Sequence, residues 1–221
     1  MKAGTCIRIL WTDLAGSPRE FKDQKNGFFP EDEAQRIGRF IHETDRRLRF
    51  AAASLLKKLV DELPVSGVSI ERNNYGRPQL RGVADADISV SHSGEIVVCA
   101  LSTRGRIGID IEQERPVEVG DFVRVFPESL WAWFHPADDE TGESETHRFF
   151  HAWTRLESVL KAHGKGLSSP LSNFVFDDLQ ARLEAETWKL HTIPVISGYV
   201  CSLATEEKNA RWEICRTECS K

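Results

Sequence analysis

No apolar run in these 221 residues approaches the roughly 18–20 that a membrane-spanning helix requires. The amino-terminal stretch, MKAGTCIRILWTDL, has no sustained apolar core and no small-residue cleavage site, so a secretory signal is not expected. Cysteine is scarce and scattered, at positions 6, 99, 201, 215 and 219. The number is odd, and Cys215 and Cys219 have no matching second pair, which argues against a disulfide framework and against a zinc site. Reduced, mostly buried thiols and a cytoplasmic location are the expectation. Positive charge is in deficit, 29 Lys and Arg against 34 Asp and Glu, for a net charge of −5. That balance favours neither nucleic acid nor a membrane as a partner, although it leaves room for a local basic pocket. No sequence period marks a repeat architecture.

What is present is an ordinary globular balance, 40% hydrophobic and 29% charged, in a chain long enough for one large domain or two small ones. Residues 5–14 read as a strand, 15–29 as a polar loop, and 31–62 as a helical region. Its apolar stripe runs through Ile37, Phe40, Ile41, Leu48, Ala52, Leu55, Leu56 and Leu59. A strand at 68–72 leads into the turn NNYGRPQL at 73–80, and strands at 86–92 and 96–102 form a hairpin around Ser93-Gly94-Glu95. After Pro116 the pattern is helical near 119–125 and 128–134, the latter holding Trp131, Trp133 and Phe134. An acidic loop follows, and then a helix over 145–163 closed by Gly164. Short strands near 174–176, 187–193, 199–204 and 211–215 complete the chain. Each half holds one long helical region and several antiparallel strands, which predicts two α+β lobes joined near 104–116.

Between those halves lies RIGIDIEQE, residues 106–114. Strand side chains alternate faces, so Ile107, Ile109 and Ile111 point one way and Gly108, Asp110 and Glu112 the other. Two carboxylates on one face, beside a glycine that permits close approach, suit a hard cation; a solvated acidic edge strand suits the same pattern. Glu157 and Lys161, four apart on the second helix, read on their own as a surface ion pair.

Four segments in this order and spacing resemble the phosphopantetheinyl transferases, of the two-lobed surfactin-synthetase-activating type: YGRPQL at 75–80, SHSGEIVVCALS at 91–102, IGIDIEQERP at 107–116 and FFHAWTRLESVLKAHGKGL at 149–167. The resemblance implies two similar α/β lobes related by a pseudo-two-fold axis, residues 1–105 and 106–221, each a long helix on a small, mostly antiparallel sheet. The active site would lie in the cleft between them. It implies transfer of the 4'-phosphopantetheine arm of coenzyme A to a serine of an apo acyl or peptidyl carrier protein. The other product is 3',5'-ADP, the cofactor Mg²⁺, and the enzyme a monomer. By the same resemblance Asp110 and Glu112 are metal ligands, and Glu157 is a third ligand or the base for the carrier serine. Lys161 meets the coenzyme A phosphates, or else pairs with Glu157. His92, flanked by Ser91 and Ser93, and Arg77 are assigned to the coenzyme, near its 3'-phosphate. Arg49, Lys57 and Arg39 are further candidates for that phosphate, with a solvated helix face as their plainer reading.

The helix motif of that family reads Trp-x-x-Lys-Glu-Ser/Ala, and here Leu156 takes the lysine's position. Arg155 lies about 100° away around a helix of ~3.6 residues per turn and so does not replace it. By its motif position Leu156 is expected one turn from the cleft's chemistry, without a group to take part in it. This departure raises an alternative: a weakened or inactive homologue that binds coenzyme A and docks carriers. On the sequence alone, Leu156→Lys should leave activity equal or raise it. An unrelated Mg²⁺ nuclease or phosphatase would want a basic groove, which the sequence lacks. The segment from Trp131 to Thr146 is a candidate carrier-docking surface, with core of the second lobe as the other reading of its aromatics.

Overall fold

The computed structural model describes residues 6–15, 42–122, 126–127, 129–131, 142–166, 171 and 174–218. Helix α1 spans Glu43–Asp61, and its buried positions Leu48, Ala51, Ala52, Leu55, Leu56, Leu59 and Val60 recur at helical spacing along one face. That face lies on strands β1 (Ile7–Asp13), β4 (Asp87–Ser93) and β5 (Ile96–Ser102). Each leucine buried there contributes about 1.5–3 kcal/mol relative to exposure. The earlier part of the expected helix, 31–41, lies outside the described residues, as does Arg39.

Helix α2 spans Glu145–His163, the range expected from its apolar spacing. Ser144 caps its start by accepting a hydrogen bond from the His147 N–H at 3.1 Å. Gly164, at φ 89°, ends it in the left-handed conformation that glycine adopts at no steric cost. α2 packs on strands β6 (Ile107–Gln113) and β10 (Tyr199–Thr205).

The first sheet runs β11-β1-β5-β4, and the second, wholly antiparallel, runs β6-β10-β9-β8-β7. Here β7 is Val175–Phe176, β8 Gln180–Leu183, β9 Glu186–Thr192 and β11 Trp212–Arg216. A separate ribbon pairs β2 (Ser69–Arg72) with β3 (Pro78–Arg81), so the turn expected at 73–80 ends earlier. Pro78 is tolerated in a strand because a two-stranded ribbon leaves edges whose N–H groups need no ladder partner.

Alternation along the strands divides the apolar residues among three cores. Val97, Cys99 and Leu101 face α1, whereas Ile96, Val98 and Ala100 join Ile7, Ile9, Ile107, Ile109, Ile111 and Leu203 between the two sheets. The third core lies under α2 and holds Phe149, Phe150, Leu156, Leu160, Trp188 and Leu183. The order is therefore helix, sheet, sheet, helix. One boundary differs from the sequence expectation: β11 returns to pair in parallel with β1, so residues 212–216 build the first sheet rather than the second. Ile214 against Ile9 carries the inter-sheet core across that junction. Cys6, Cys99 and Cys201 are buried, and Cys215 partly so, all as free thiols. No helix among the described residues is long and apolar enough to cross a membrane.

Candidate active site

Strands β4 and β6 are the edges of their respective sheets and lie side by side. Alternate side chains of β4 cover the open edge of β6. Asp87 Oδ2 accepts from the Ile107 N–H at 2.9 Å, Ser89 Oγ from Ile109 at 2.9 Å and Ser93 Oγ from Gln113 at 3.0 Å. The seam between the halves is thus hydrogen-bonded by side chains of one half to the backbone of the other.

The other partner of β6 is α2. A Cβ on Gly108 would stand 1.9 Å from the Ser158 carbonyl oxygen and 2.5 Å from the Ala162 nitrogen, so only glycine lets the helix lie this close. The approach anticipated at this glycine is that of the helix backbone. It buries Asp110, 4% exposed, and half-buries Glu112, so the face expected either to hold a cation or to meet solvent is covered. It also brings Glu157 and Lys161 over the acidic face. Lys161 Nζ donates to Asp110 Oδ1 at 2.6 Å, to Ser91 Oγ at 2.8 Å and to the Ile109 carbonyl at 3.2 Å. Its partner is therefore Asp110 rather than Glu157. Ser91 Oγ donates onward to Asp110 Oδ1 at 2.8 Å, and Ser93 Oγ to Glu112 Oε2 at 2.6 Å.

The electrostatics of this face are those of crowded acids. Burial first, then the charge of Asp110, pushes the Glu112 carboxyl above its ordinary value, against the hydrogen bond from Ser93. Burial also raises Glu157, followed by the charges of Asp110 and Glu112, with Lys161 opposing. As they stand, no three His, Cys, Asp or Glu side chains among the described residues are close enough together to hold a metal ion. Lys161 occupies one oxygen of Asp110. The residues nevertheless fit Mg²⁺: Asp110 Oδ2 is buried without a hydrogen-bond partner, and the neighbouring carboxylates are disfavoured in their charged form, which a divalent cation would relieve.

Beside the acids opens a cleft of about 250 Å³, lined among others by Tyr75, Arg77, Ser89, Val90, Lys161 and Gly164. Arg77, expected to meet the coenzyme, lines it but is committed elsewhere. Its Nε donates to the Lys161 carbonyl at 2.7 Å, and its Nη2 pairs with Asp87 and donates to the Ile107 carbonyl at 3.0 Å. Asn73 adds a bond to the Gly164 carbonyl at 3.2 Å. The 73–77 turn therefore clasps the end of α2. His92 is exposed, between the buried Ser91 and Ser93, yet partial burial first, then the charges of Arg49 and Lys161, lower its pKa and favour neutral imidazole. Arg49, on α1, is thus close enough for its charge to act on His92. Lys57 Nζ pairs with Asp61 one turn on at 2.7 Å.

Leu156 lies elsewhere than its motif position suggests. It is 0% exposed inside the core under α2, so it does not stand idle beside the cleft chemistry, and an ammonium would have to replace it among apolar side chains. Arg155 is buried on another side of the helix, over the Phe176 ring and 3.9 Å from Asp178. Trp131 packs against the same core as Leu156, and Trp133 and Phe134 lie outside the described residues. The sequence reading missed Asp87, Ser89 and Asn73. Asp-x-Ser-x-Ser-x-Ser along 87–93, small polar groups at every second position, was the available signal for a seam.

Residues 106–204 match the model of the 4'-phosphopantetheinyl transferase superfamily, and residues 16–104 that of the 4'-phosphopantetheinyl transferase, N-terminal region. The chain is 29% identical over 159 residues to the 4'-phosphopantetheinyl transferase Sfp of Bacillus subtilis (strain 168), spanning 71% of this chain and 69% of that protein. It is 28% identical over 183 residues to the 4'-phosphopantetheinyl transferase gsp of Aneurinibacillus migulanus, spanning 78% and 74%. A mouse protein, L-aminoadipate-semialdehyde dehydrogenase-phosphopantetheinyl transferase, is 26% identical over 161 residues, spanning 66% of this chain and 52% of its own length. The chain belongs to the 4'-phosphopantetheinyl transferase superfamily, and within it to the surfactin-synthetase-activating type. It is a transferase of that kind.

Proposed function

We propose that this enzyme transfers the 4'-phosphopantetheine arm of coenzyme A to a serine of an apo acyl or peptidyl carrier protein, releasing 3',5'-ADP, with Mg²⁺ as cofactor. The observation that carries the reading is the closing of α2 over β6, which sets Glu157 and Lys161 against Asp110 and Glu112 beside a cleft lined by Arg77 and Lys161. In this reading the two halves are pseudo-symmetric lobes and the cleft between them takes the coenzyme.

Asp110 and Glu112 would hold the Mg²⁺, with Glu157 either a third ligand or the base, and the ion would supply charge neutralisation for the pyrophosphate oxygens. Lys161, already among oxygens of both halves, binds a coenzyme phosphate, and His92 and Arg49 take the 3'-phosphate. Glu157 has a raised pKa and no hydrogen bond among the described residues, which suits it to accept the proton of the carrier serine as the serine oxygen bonds to phosphorus. The pyrophosphate oxygen leaves with the bonding pair as 3',5'-ADP. We further read the protein as a cytoplasmic monomer without nucleic-acid or membrane partners, in keeping with its net charge of −5.

The rival reading, a carrier-docking homologue that has lost turnover, was motivated by Leu156. The burial of that leucine in an apolar core gives it a packing reason instead. Incubation with coenzyme A, Mg²⁺ and apo carriers of several pathways, followed by intact-mass measurement of each carrier, separates the two. At least one carrier should gain the phosphopantetheine mass. Binding of coenzyme A with no mass gain on any carrier would reject the transfer reading.

A further inference from the structure

The two serines beside His92 carry an unusual constraint. Each hydroxyl has one proton, and each oxygen already receives an N–H: Ser91 Oγ from Lys161 Nζ at 2.8 Å, Ser93 Oγ from the Gln113 backbone at 3.0 Å. The proton is left with one direction in each case. Ser91 donates to Asp110 and Ser93 to Glu112, both nineteen residues apart in sequence and both across the seam between the halves. Both serines are buried, at 6% and 8% exposure, so water does not compete for these bonds. Hydrogen bonds to a carboxylate are shorter and stronger than neutral ones, and they fix the rotation of the group that accepts them.

We infer that Ser91 and Ser93 are positioning residues: from the first half of the chain they orient the Asp110 and Glu112 carboxylates of the second half toward a divalent cation. The inference rests on the reading of those acids as cation ligands. It explains why Ser89 and Ser93 also hold the β6 backbone, because carboxylates can be aimed only if their strand is held in register. It assigns Ser91 a second effect. By engaging Lys161 Nζ it shares that ammonium, which otherwise would rest more fully on Asp110 and compete with the cation. Groups of this kind, one bond removed from a metal, typically set 10–100-fold in metal affinity.

The test uses the full chain and Mn²⁺ alone, following loss of the free-ion paramagnetic resonance signal, with no coenzyme or carrier present. Ser91→Ala and Ser93→Ala should each weaken Mn²⁺ binding by about tenfold. Ser93→Thr, which keeps the hydroxyl, should bind close to wild type and separates the lost bond from disturbed packing. In steady state at saturating Mg²⁺, KM for coenzyme A should stay within about twofold of wild type in Ser93→Ala, whose hydroxyl does not touch Lys161. Unchanged Mn²⁺ affinity with a raised KM for coenzyme A would overturn the inference and return the serines to the coenzyme. An equal loss of affinity in Ser93→Thr would also overturn it. Failure of the wild-type chain to take up Mn²⁺ would instead sink the cation reading itself, and this inference with it.

Discussion

Gly108→Ala is a one-carbon change whose consequences can be worked from the geometry. The added Cβ would sit 1.9 Å from the Ser158 carbonyl oxygen, 2.5 Å from the Ala162 nitrogen and 3.0 Å from Lys161 Cβ. Two of these neighbours are helix backbone, which cannot swing aside. To restore an ordinary contact of 3.4 Å, α2 must withdraw from β6 by about 1.5 Å. Overpacking of this kind costs about 1–3 kcal/mol, and in a chain of this size each kcal/mol lowers Tm by about 2–4 °C. A fall of about 2–12 °C is expected by differential scanning calorimetry. The functional loss should be larger, because Glu157 and Lys161 flank the displaced Ser158 turn and retreat from Asp110 and Glu112. Misplacement by 1 Å costs about 100-fold in rate. Gly120→Ala is the control: no atom lies within 4 Å of its Cβ, so Tm and transfer should both hold. If Gly108→Ala kept wild-type Tm and wild-type transfer, the claim that helix and strand meet backbone to backbone here would be wrong.

Glu157→Gln should raise Tm at neutral pH in the absence of Mg²⁺ while abolishing transfer. A raised carboxyl pKa means that ionisation costs stability, absent below the ordinary glutamate range and fully present above the raised value. The Tm gap between variant and wild type should therefore open as pH rises from the ordinary glutamate range through the raised value, and narrow when Mg²⁺ is added; a gap independent of pH would contradict it. Leu156→Lys should cost about 2 kcal/mol or more, roughly 4–8 °C in Tm, since a fully buried leucine gives way to an ammonium in an apolar core. Unchanged thermal stability in that variant would mean that the lysine escapes to the cleft, and would reopen the leucine's role in catalysis.

The elements legible in the sequence were those with strong periodicity and clear ends. α2 was readable from the Phe149–Leu160 stripe and Gly164, and the faces of β6 from the alternation of isoleucine with Gly108, Asp110 and Glu112. The four-residue β8 was not, because only Ala181 and Leu183 face inward and two residues make no pattern. The return of β11 to the first sheet was hidden for another reason: a strand's sequence reports that it is half-buried and not which edge it joins. At the site, residue types gave the acids and Lys161, but not their partners. That Lys161 reaches Asp110 rather than Glu157 depends on the approach at Gly108, and that Arg77 clasps α2 depends on where the 73–77 turn falls. Leu156 misled because its motif position suggested the cleft, whereas helix rotation puts it in the core.

The central claim is that the covered acidic face of β6 is the centre of phosphopantetheine transfer. The most direct measurement compares wild type with Asp110→Ala, folded to the same Tm baseline, on one apo carrier that the wild-type enzyme converts in the presence of coenzyme A and Mg²⁺. Carrier mass gain is expected with wild type and none with Asp110→Ala at equal enzyme concentration. Transfer by Asp110→Ala at the wild-type rate would contradict it.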